Sequence, residues 1–167
     1  MQKVTLRKAT MDDASFIYEM MQDKEYQKYY PTSLVAKNIE EQKKNLLHYT
    51  AQMNKEISYY FIILVGKEAA GMLDIYKIDK RNHRSGVGYG ISKKYWGKGV
   101  ATRALKEATK FAKKIGLHAL EASAHPKNKA SQKVLLKNGF KKIGLIEDYY
   151  FEKGKYEDRL LYWKILK

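Results

Sequence analysis

The chain contains no cysteine, which excludes disulfide staples, thiolate metal sites and a cysteine nucleophile. Only two prolines, Pro31 and Pro126, occur in 167 residues, and no proline-rich linker or low-complexity tract divides them. The longest apolar run, 59–65, is far too short to cross a bilayer. The four histidines show no metal-ligand spacing, and no serine stands in a nucleophile elbow. Met1-Gln2-Lys3 leads straight into strand-like sequence, without the pattern of a secretory signal. These absences predict a cytoplasmic protein with no membrane association and no metal cofactor.

What is present fits one domain over 1–167, long enough to bury a core. Hydrophobic residues make up 44% and charged residues 31%, an ordinary globular balance. The net charge of +15 attracts polyanions: nucleic acid, anionic lipid or a phosphorylated cofactor. The lysines are nevertheless spread along the whole chain. Pairs such as Lys43-Lys44, Lys113-Lys114 and Lys141-Lys142 read as solvated faces, so charge alone names no partner.

Period and punctuation predict the order β-α-α-β-β-β-α-β-α-β-β. Residues 5–8 alternate as an edge strand. The spacing Thr10-Met-Asp-Asp13 suits a helix cap, and Ala14, Ile17, Met20 and Met21 give the following helix one apolar side. Tyr29-Tyr30-Pro31 interrupts it. Thr32 or Ser33 can cap a second helix carrying Val35, Ile39, Leu46 and Met53. Strands are expected over 58–65, 70–78 and 85–92. A strong amphipathic helix follows over 100–115, stopped by Gly116. Then come a strand over 118–124, a short helix that Asn128 can cap, and two strands over 141–150 and 156–164. The turn Lys153-Gly154-Lys155 joins the last two. The fold class is α/β with a mixed (α+β) sheet.

The segment 90–105 is the most informative. A strand ends, Gly97 and Gly99 flank Lys98, and the long helix begins at once. Glycines at a helix start let main-chain N–H groups approach a ligand, and the unpaired first-turn amides favour an anion. A phosphate is the natural guest, with Lys93, Lys94, Lys98 and Arg103 adding charge. A P-loop is excluded because Gly-Lys-Ser/Thr is missing. A dinucleotide-binding turn would need glycine at Thr102; Glu121 could mimic its ribose-binding acid, but the chain is too short for the repeated βα units. The plainest reading besides these is a turn that merely requires glycine.

Trp96-Gly97-Lys98-Gly99-Val100-Ala101 resembles the Gln/Arg-x-x-Gly-x-Gly/Ala signature of the GNAT acetyltransferase superfamily, with Trp96 at the first, usually polar, position. His125-Pro-Lys-Asn-Lys-Ala-Ser131 followed by Lys137-Asn-Gly-Phe140 resembles the Asn-x-x-Ser…Gly-Phe segment of its ribosomal-protein N-terminal acetyltransferase and polyamine acetyltransferase branch. The likeness extends over nearly the whole chain. It implies the acyl-CoA N-acyltransferase fold: a mostly antiparallel central sheet of about seven strands, splayed at its centre and flanked by four helices. It also implies acetyl-CoA as cosubstrate and a primary amine as acceptor, on a ribosomal protein or a polyamine. A homodimer stays open.

The resemblance further implies that main-chain groups of Ile91 and Ser92 hold the pantetheine arm in the gap between 85–92 and 118–124. Gly97, Lys98, Gly99, Val100, Ala101 and Thr102 would hold the pyrophosphate. Asn128 and Ser131 would reach the arm or thioester from the other side, and capping by Asn128 is compatible with that. Where many relatives carry a glutamate base and a tyrosine acid, this chain has Gly86 and Leu135. In the ribosomal-protein branch a serine and a carboxylate share the work, and the resemblance places Ser131 at that serine and Tyr150 at the carboxylate position, with Glu147, Asp148 and Glu152 nearby in sequence; these two are the expected catalytic residues. Tyr150 could equally be ordinary aromatic packing. Asp74, inside an apolar strand, is either a base or a residue on the wet face. His125 could titrate near neutrality but reads as a loop histidine. The acceptor cleft is expected between the first two helices and the last hairpin, lined by Tyr26, Tyr29, Tyr30, Tyr149, Tyr150, Phe151 and Tyr156. The rival reading is a non-catalytic CoA-binding or basic RNA- or ribosome-associated module on the same fold.

Overall fold

The run Tyr59–Val65 is apolar at every position, and it becomes a strand buried on both faces, as β-branched and aromatic residues favour. A computed structural model describes residues 2–152 and 154–166. The strands are β1 (Val4–Lys8), β2 (Tyr59–Val65), β3 (Glu68–Asp79), β4 (Arg84–Ile91), β5 (Ala119–Ala124), β6 (Lys141–Glu152) and β7 (Lys155–Ile165). They form one seven-stranded sheet in the order β1-β2-β3-β4-β5-β7-β6. Every neighbouring pair is antiparallel except β4 and β5, which run parallel.

Alternation along the strands sends side chains to two cores. On one face Phe61, Ile63, Leu73, Ile75 and Val87 meet α4 (Val100–Lys114) and α5 (Lys129–Lys137). The stripe Val100, Ala104, Leu105, Ala108 and Ala112 buries α4, as its period demands. On the other face Tyr60, Ile62 and Met72 meet α1 (Ala14–Gln22) and α3 (Ile39–Asn54). The apolar side expected for α1 is the side it buries.

Three boundaries differ from expectation for local reasons. Asp23 opens a four-residue helix, α2 (Lys24–Gln27), its carboxylate accepting the Glu25 and Tyr26 amides at 2.8 and 3.1 Å. It adds a fifth helix to the four expected. Thr32 and Ser33 do not cap the next helix: Asn38 does, accepting the Glu41 amide at 2.9 Å. Thr32 and Ser33 instead bind the Glu152 carboxylate, at 3.0 Å from the Thr32 amide and 3.2 Å from the Ser33 hydroxyl. The last hairpin is also longer than expected, and its turn residue Lys153 lies outside the described residues.

The parallel pair positions the site. β4 and β5 are joined only over Arg84↔Ala119, Ser85↔Leu120 and Gly86↔Glu121. Beyond that β5 follows β7, through Ala122↔Tyr162 to Ala124↔Leu160, while β4 stays with β3 as far as Gly71↔Ile91. A wedge opens between Val87–Ile91 and the end of β5, with one row of β4 main-chain groups facing it. At the far edge, β6 carries a register shift between Ile146 and Tyr150, with Asp148 at φ 52°. Such a bulge re-aims the side chains beyond it.

Candidate active site

At the open end of the wedge, Gly97 and Gly99 hold φ of 72° and 69°, the left-handed region open to glycine at little cost. A Cβ at either position would meet nothing within 4 Å, so the space before this turn is clear. Gly99 is the N-cap of α4 and offers no side chain to it. The first bond of the helix entry runs from the Arg103 amide to the Gly99 carbonyl at 3.2 Å. The amides of Val100, Ala101 and Thr102 therefore point outward at the positive end of a fifteen-residue helix. The Arg103 guanidinium donates to the Lys98 carbonyl at 3.1 Å and stiffens the turn. The main chain over Gly97, Lys98, Gly99, Val100, Ala101 and Thr102 thus presents unpaired amides before α4, an arrangement that favours an anion.

Ile91 and Ser92 part company. The Ser92 amide donates to the Ala70 carbonyl at 2.9 Å, and the Ser92 carbonyl accepts the Tyr95 amide at 2.9 Å. Ser92 is thus tied to β3 and its own turn through both main-chain groups. Peptide groups alternate along a strand, so Ile91, Tyr89 and Val87 turn theirs to the wedge. Trp96, standing where the family signature has a polar residue, donates its indole N–H to the Ile91 carbonyl at 2.7 Å. It clamps the glycine turn to the end of β4.

Across the wedge, the Asn128 side chain accepts the Ser131 amide at 3.0 Å and caps α5. The Ser131 hydroxyl lies 3.0 Å from the Tyr89 hydroxyl, which also donates to the Ser131 carbonyl at 3.2 Å. Tyr89 bridges β4 to α5 over the gap. Burial pushes its hydroxyl well up, against the pull of Ser131, so it stays protonated. Sequence reasoning passed over Tyr89; its place two residues before Ile91, on the same side of the strand, was the available signal.

Ser131 and Tyr150 make no contact with each other. Tyr150 is half-buried beneath the Arg159 guanidinium, 4.8 Å from its ring centroid, and packs edge-on against Tyr149 at 4.7 Å. Burial raises its hydroxyl, with Tyr149 adding to the shift. Gly86 and Leu135 serve packing: a side chain at Gly86 would collide with the Tyr76 ring, and Leu135 is fully buried in the core. Glu152 holds Thr32 and Ser33, and the Asp148 amide donates to the Asp158 carboxylate at 3.1 Å.

His125 is an anchored residue. Its Nε2 lies 2.8 Å from the Glu157 carboxylate, its Nδ1 accepts the Lys127 amide at 3.0 Å, and Tyr29 packs on it at 5.1 Å. Lys155 and His125 together hold Glu157 down to about 2. Asp74 is not on a wet face. It lies on the α1–α3 side of β3, half-buried, with its carboxyl pushed up to about 6 by burial.

Comparison with known proteins agrees with this geometry. Residues 3–141 match the family model described as an acetyltransferase (GNAT) domain. The chain is 30% identical over 162 residues to the uncharacterized N-acetyltransferase p20 of Bacillus licheniformis, covering 94% of this chain and 89% of that protein. The solved structure of ribosomal-protein-S5-alanine acetyltransferase from Vibrio fischeri superposes with a TM-score of 0.89 at 25% identity, covering 100% and 95% of the two chains. Spermidine N-acetyltransferase from Vibrio cholerae, solved with CoA and spermine, superposes with a TM-score of 0.86 at 18% identity, over 98% and 95%. With the family model matching its residues 3–141, the chain belongs to the GNAT acetyltransferases.

Proposed function

We propose that the protein moves the acetyl group of acetyl-CoA onto a primary amine by direct attack in a ternary complex, as one catalytic domain over 1–167 working in the cytoplasm. The observation that carries this reading is the wedge between β4 and β5, which starts at the bare amides of α4 and runs inward past Tyr89. The cradle of Gly97 to Thr102 binds the diphosphate. The wedge-facing amide of Ile91 and the peptide groups of Tyr89 and Val87 hold the pantetheine as an added strand would be held. Asn128 fixes the start of α5, so that Ser131 stands behind the Tyr89 hydroxyl.

The chemistry needs a proton removed and a thiolate quenched. An alkylamine, with pKa about 10.4, is almost wholly ammonium at neutral pH and cannot attack. The leaving thiol, near 8.5 in free form, needs less help. Tyr89, protonated and backed by Ser131, can donate to the departing sulfur. Holding both substrates side by side supplies a large share of the rate. Tyr150 belongs with the acceptor side, since it makes no contact with Ser131.

The named relatives act on a ribosomal-protein alanine and on spermidine, so the acceptor is sought among protein N-terminal amines and polyamines. The protein incubated with acetyl-CoA and a panel of alanine- and serine-starting peptides, spermidine and spermine is expected to release free thiol with at least one of them. CoA binding without thiol release from any amine would leave a cofactor-binding module and overturn the reading.

A further inference from the structure

Pairing in the sheet sets Tyr60, Asp74 and Gly88 side by side on β2, β3 and β4. All three face α1–α3. Asp74 is therefore flanked by an aromatic ring on one side and by bare backbone on the other. Its Oδ1 would lie only 2.5 Å from a Cβ at Gly88, so the carboxylate rests on the β4 main chain where that strand borders the wedge. The neighbouring glycines are roofed as well: a Cβ at Gly86 would strike the Tyr76 ring, and one at Gly90 the Tyr26 hydroxyl.

The surroundings of this carboxylate are aromatic. Tyr26 from α2 and the following Tyr30 pack at 5.3 Å, and Tyr49 of α3 stacks on Tyr60 at 4.7 Å. Tyr76 on β3 and Tyr150 on β6 complete the set of groups that feel its charge. Helix α1, also packed on this face, buries only Ala14, Ile17, Met20 and Met21 there. Among the described residues no lysine or arginine acts on Asp74, and no side chain donates to it. Arg159 is spent on the Tyr150 ring. The Tyr26 hydroxyl, buried above Gly90, has no hydrogen-bond partner among the described residues.

A carboxylate withdrawn from water without a cation is costly, and so is an unmatched buried hydroxyl. Tyrosine faces attract an ammonium, and a carboxylate at the centre adds charge and a hydrogen-bond acceptor. We propose that this recess receives the ammonium of the acceptor, and that Asp74 anchors it and takes its proton. The inference rests on the acetyltransferase reading above and names the base which that reading lacks.

Asp74 removes one N–H proton, and the freed lone pair attacks the thioester carbonyl carbon across the glycine stretch of β4. The C–N bond forms, and the C–S bond breaks with its electron pair on sulfur. A second nitrogen proton passes to the thiolate, directly or through Tyr89. Asp74 returns its own proton to solvent, so one ammonium and one thioester yield one amide, one thiol and one proton. A carboxyl raised to about 6 by burial is still ionised at neutral pH, and it is a stronger base than an exposed one.

The test compares wild type with Asp74→Asn, a change of nearly equal shape, in two arms: an alanine-starting peptide and spermidine. CoA affinity, measured by calorimetry, is expected to be unchanged. Turnover is expected to fall at least about 100-fold, and the rise of kcat/KM with pH expected near 6 for wild type should vanish. Whichever arm wild type acetylates identifies the source of the ammonium. Asp74→Asn turning over at the wild-type rate with the same pH profile overturns the proposal. If wild type acetylates neither amine, calorimetric titration of each amine into the CoA-loaded protein decides the recess separately. Amine binding by wild type and its loss in Asp74→Asn support the recess; equal binding by both, or none by either, overturns it.

Discussion

Gly99 occupies a conformation that costs an ordinary side chain about 1–2 kcal/mol, yet a Cβ there would meet nothing within 4 Å. Strain and charge can therefore be separated. Gly99→Ala carries the backbone strain alone, while Gly99→Asp adds a carboxylate in front of the α4 amides. Two unit charges about 4 Å apart interact by roughly 4 kcal/mol at an effective dielectric of 20. Gly99→Asp is therefore expected to bind CoA at least about 10-fold more weakly than Gly99→Ala, as read by calorimetry. Equal affinities would move the diphosphate elsewhere. This turn was legible in the residues because its requirement is local: positive φ at two glycines and an uncapped helix start. The bond from Ser92 to Ala70, twenty-two residues back in the chain, was not legible, because it depends on how β4 pairs with β3.

Among the elements, α4 is the most legible, since five buried residues on one stripe declare both its period and its buried face. The start of α3 was misplaced because Thr32, Ser33 and Asn38 all have side chains able to cap. What decides is the fold. Glu152, 120 residues away, engages Thr32 and Ser33, and Asn38 is left extended at φ −153° before the helix. At α5 the cap was read correctly, and it also holds the site. Asn128→Ala is expected to cost about 1 kcal/mol in urea unfolding, as the loss of an N-cap typically does. The same change should lower kcat, since Ser131 is held against Tyr89 by that first turn. A loss of stability with unchanged kcat would make Asn128 a cap and nothing more.

Across the whole molecule, a functional carboxylate within an aromatic recess has a consequence for stability. The Asp74 carboxyl is raised from its ordinary value of 3.8 to about 6, so the native state holds its proton more tightly than the unfolded chain does. On this account stability is lost as pH rises from about 4 to about 6, and the loss persists at neutral pH. Asp74→Asn is therefore expected to melt higher than wild type at pH 7, by about 2–4 °C for each kcal/mol regained. The difference should close below pH 4. A variant that melts lower at pH 7 would show that the ionised carboxylate stabilises the fold, contrary to its surroundings.

The sequence by itself determined whatever depends on neighbours along the chain: the α4 stripe, the glycine turn before it, the Asn128 cap and the alternation of the strands. Periodicity and backbone conformation act over a few residues, so they can be read there. Only the tertiary structure decided which residues share the site. Register brings Tyr60, Asp74 and Gly88 into one line, the divergence of β5 from β4 opens the wedge, and the tyrosines around Asp74 come from five separate stretches of chain. Each of these is a long-range pairing, set by how the two cores close on the sheet rather than by any local preference.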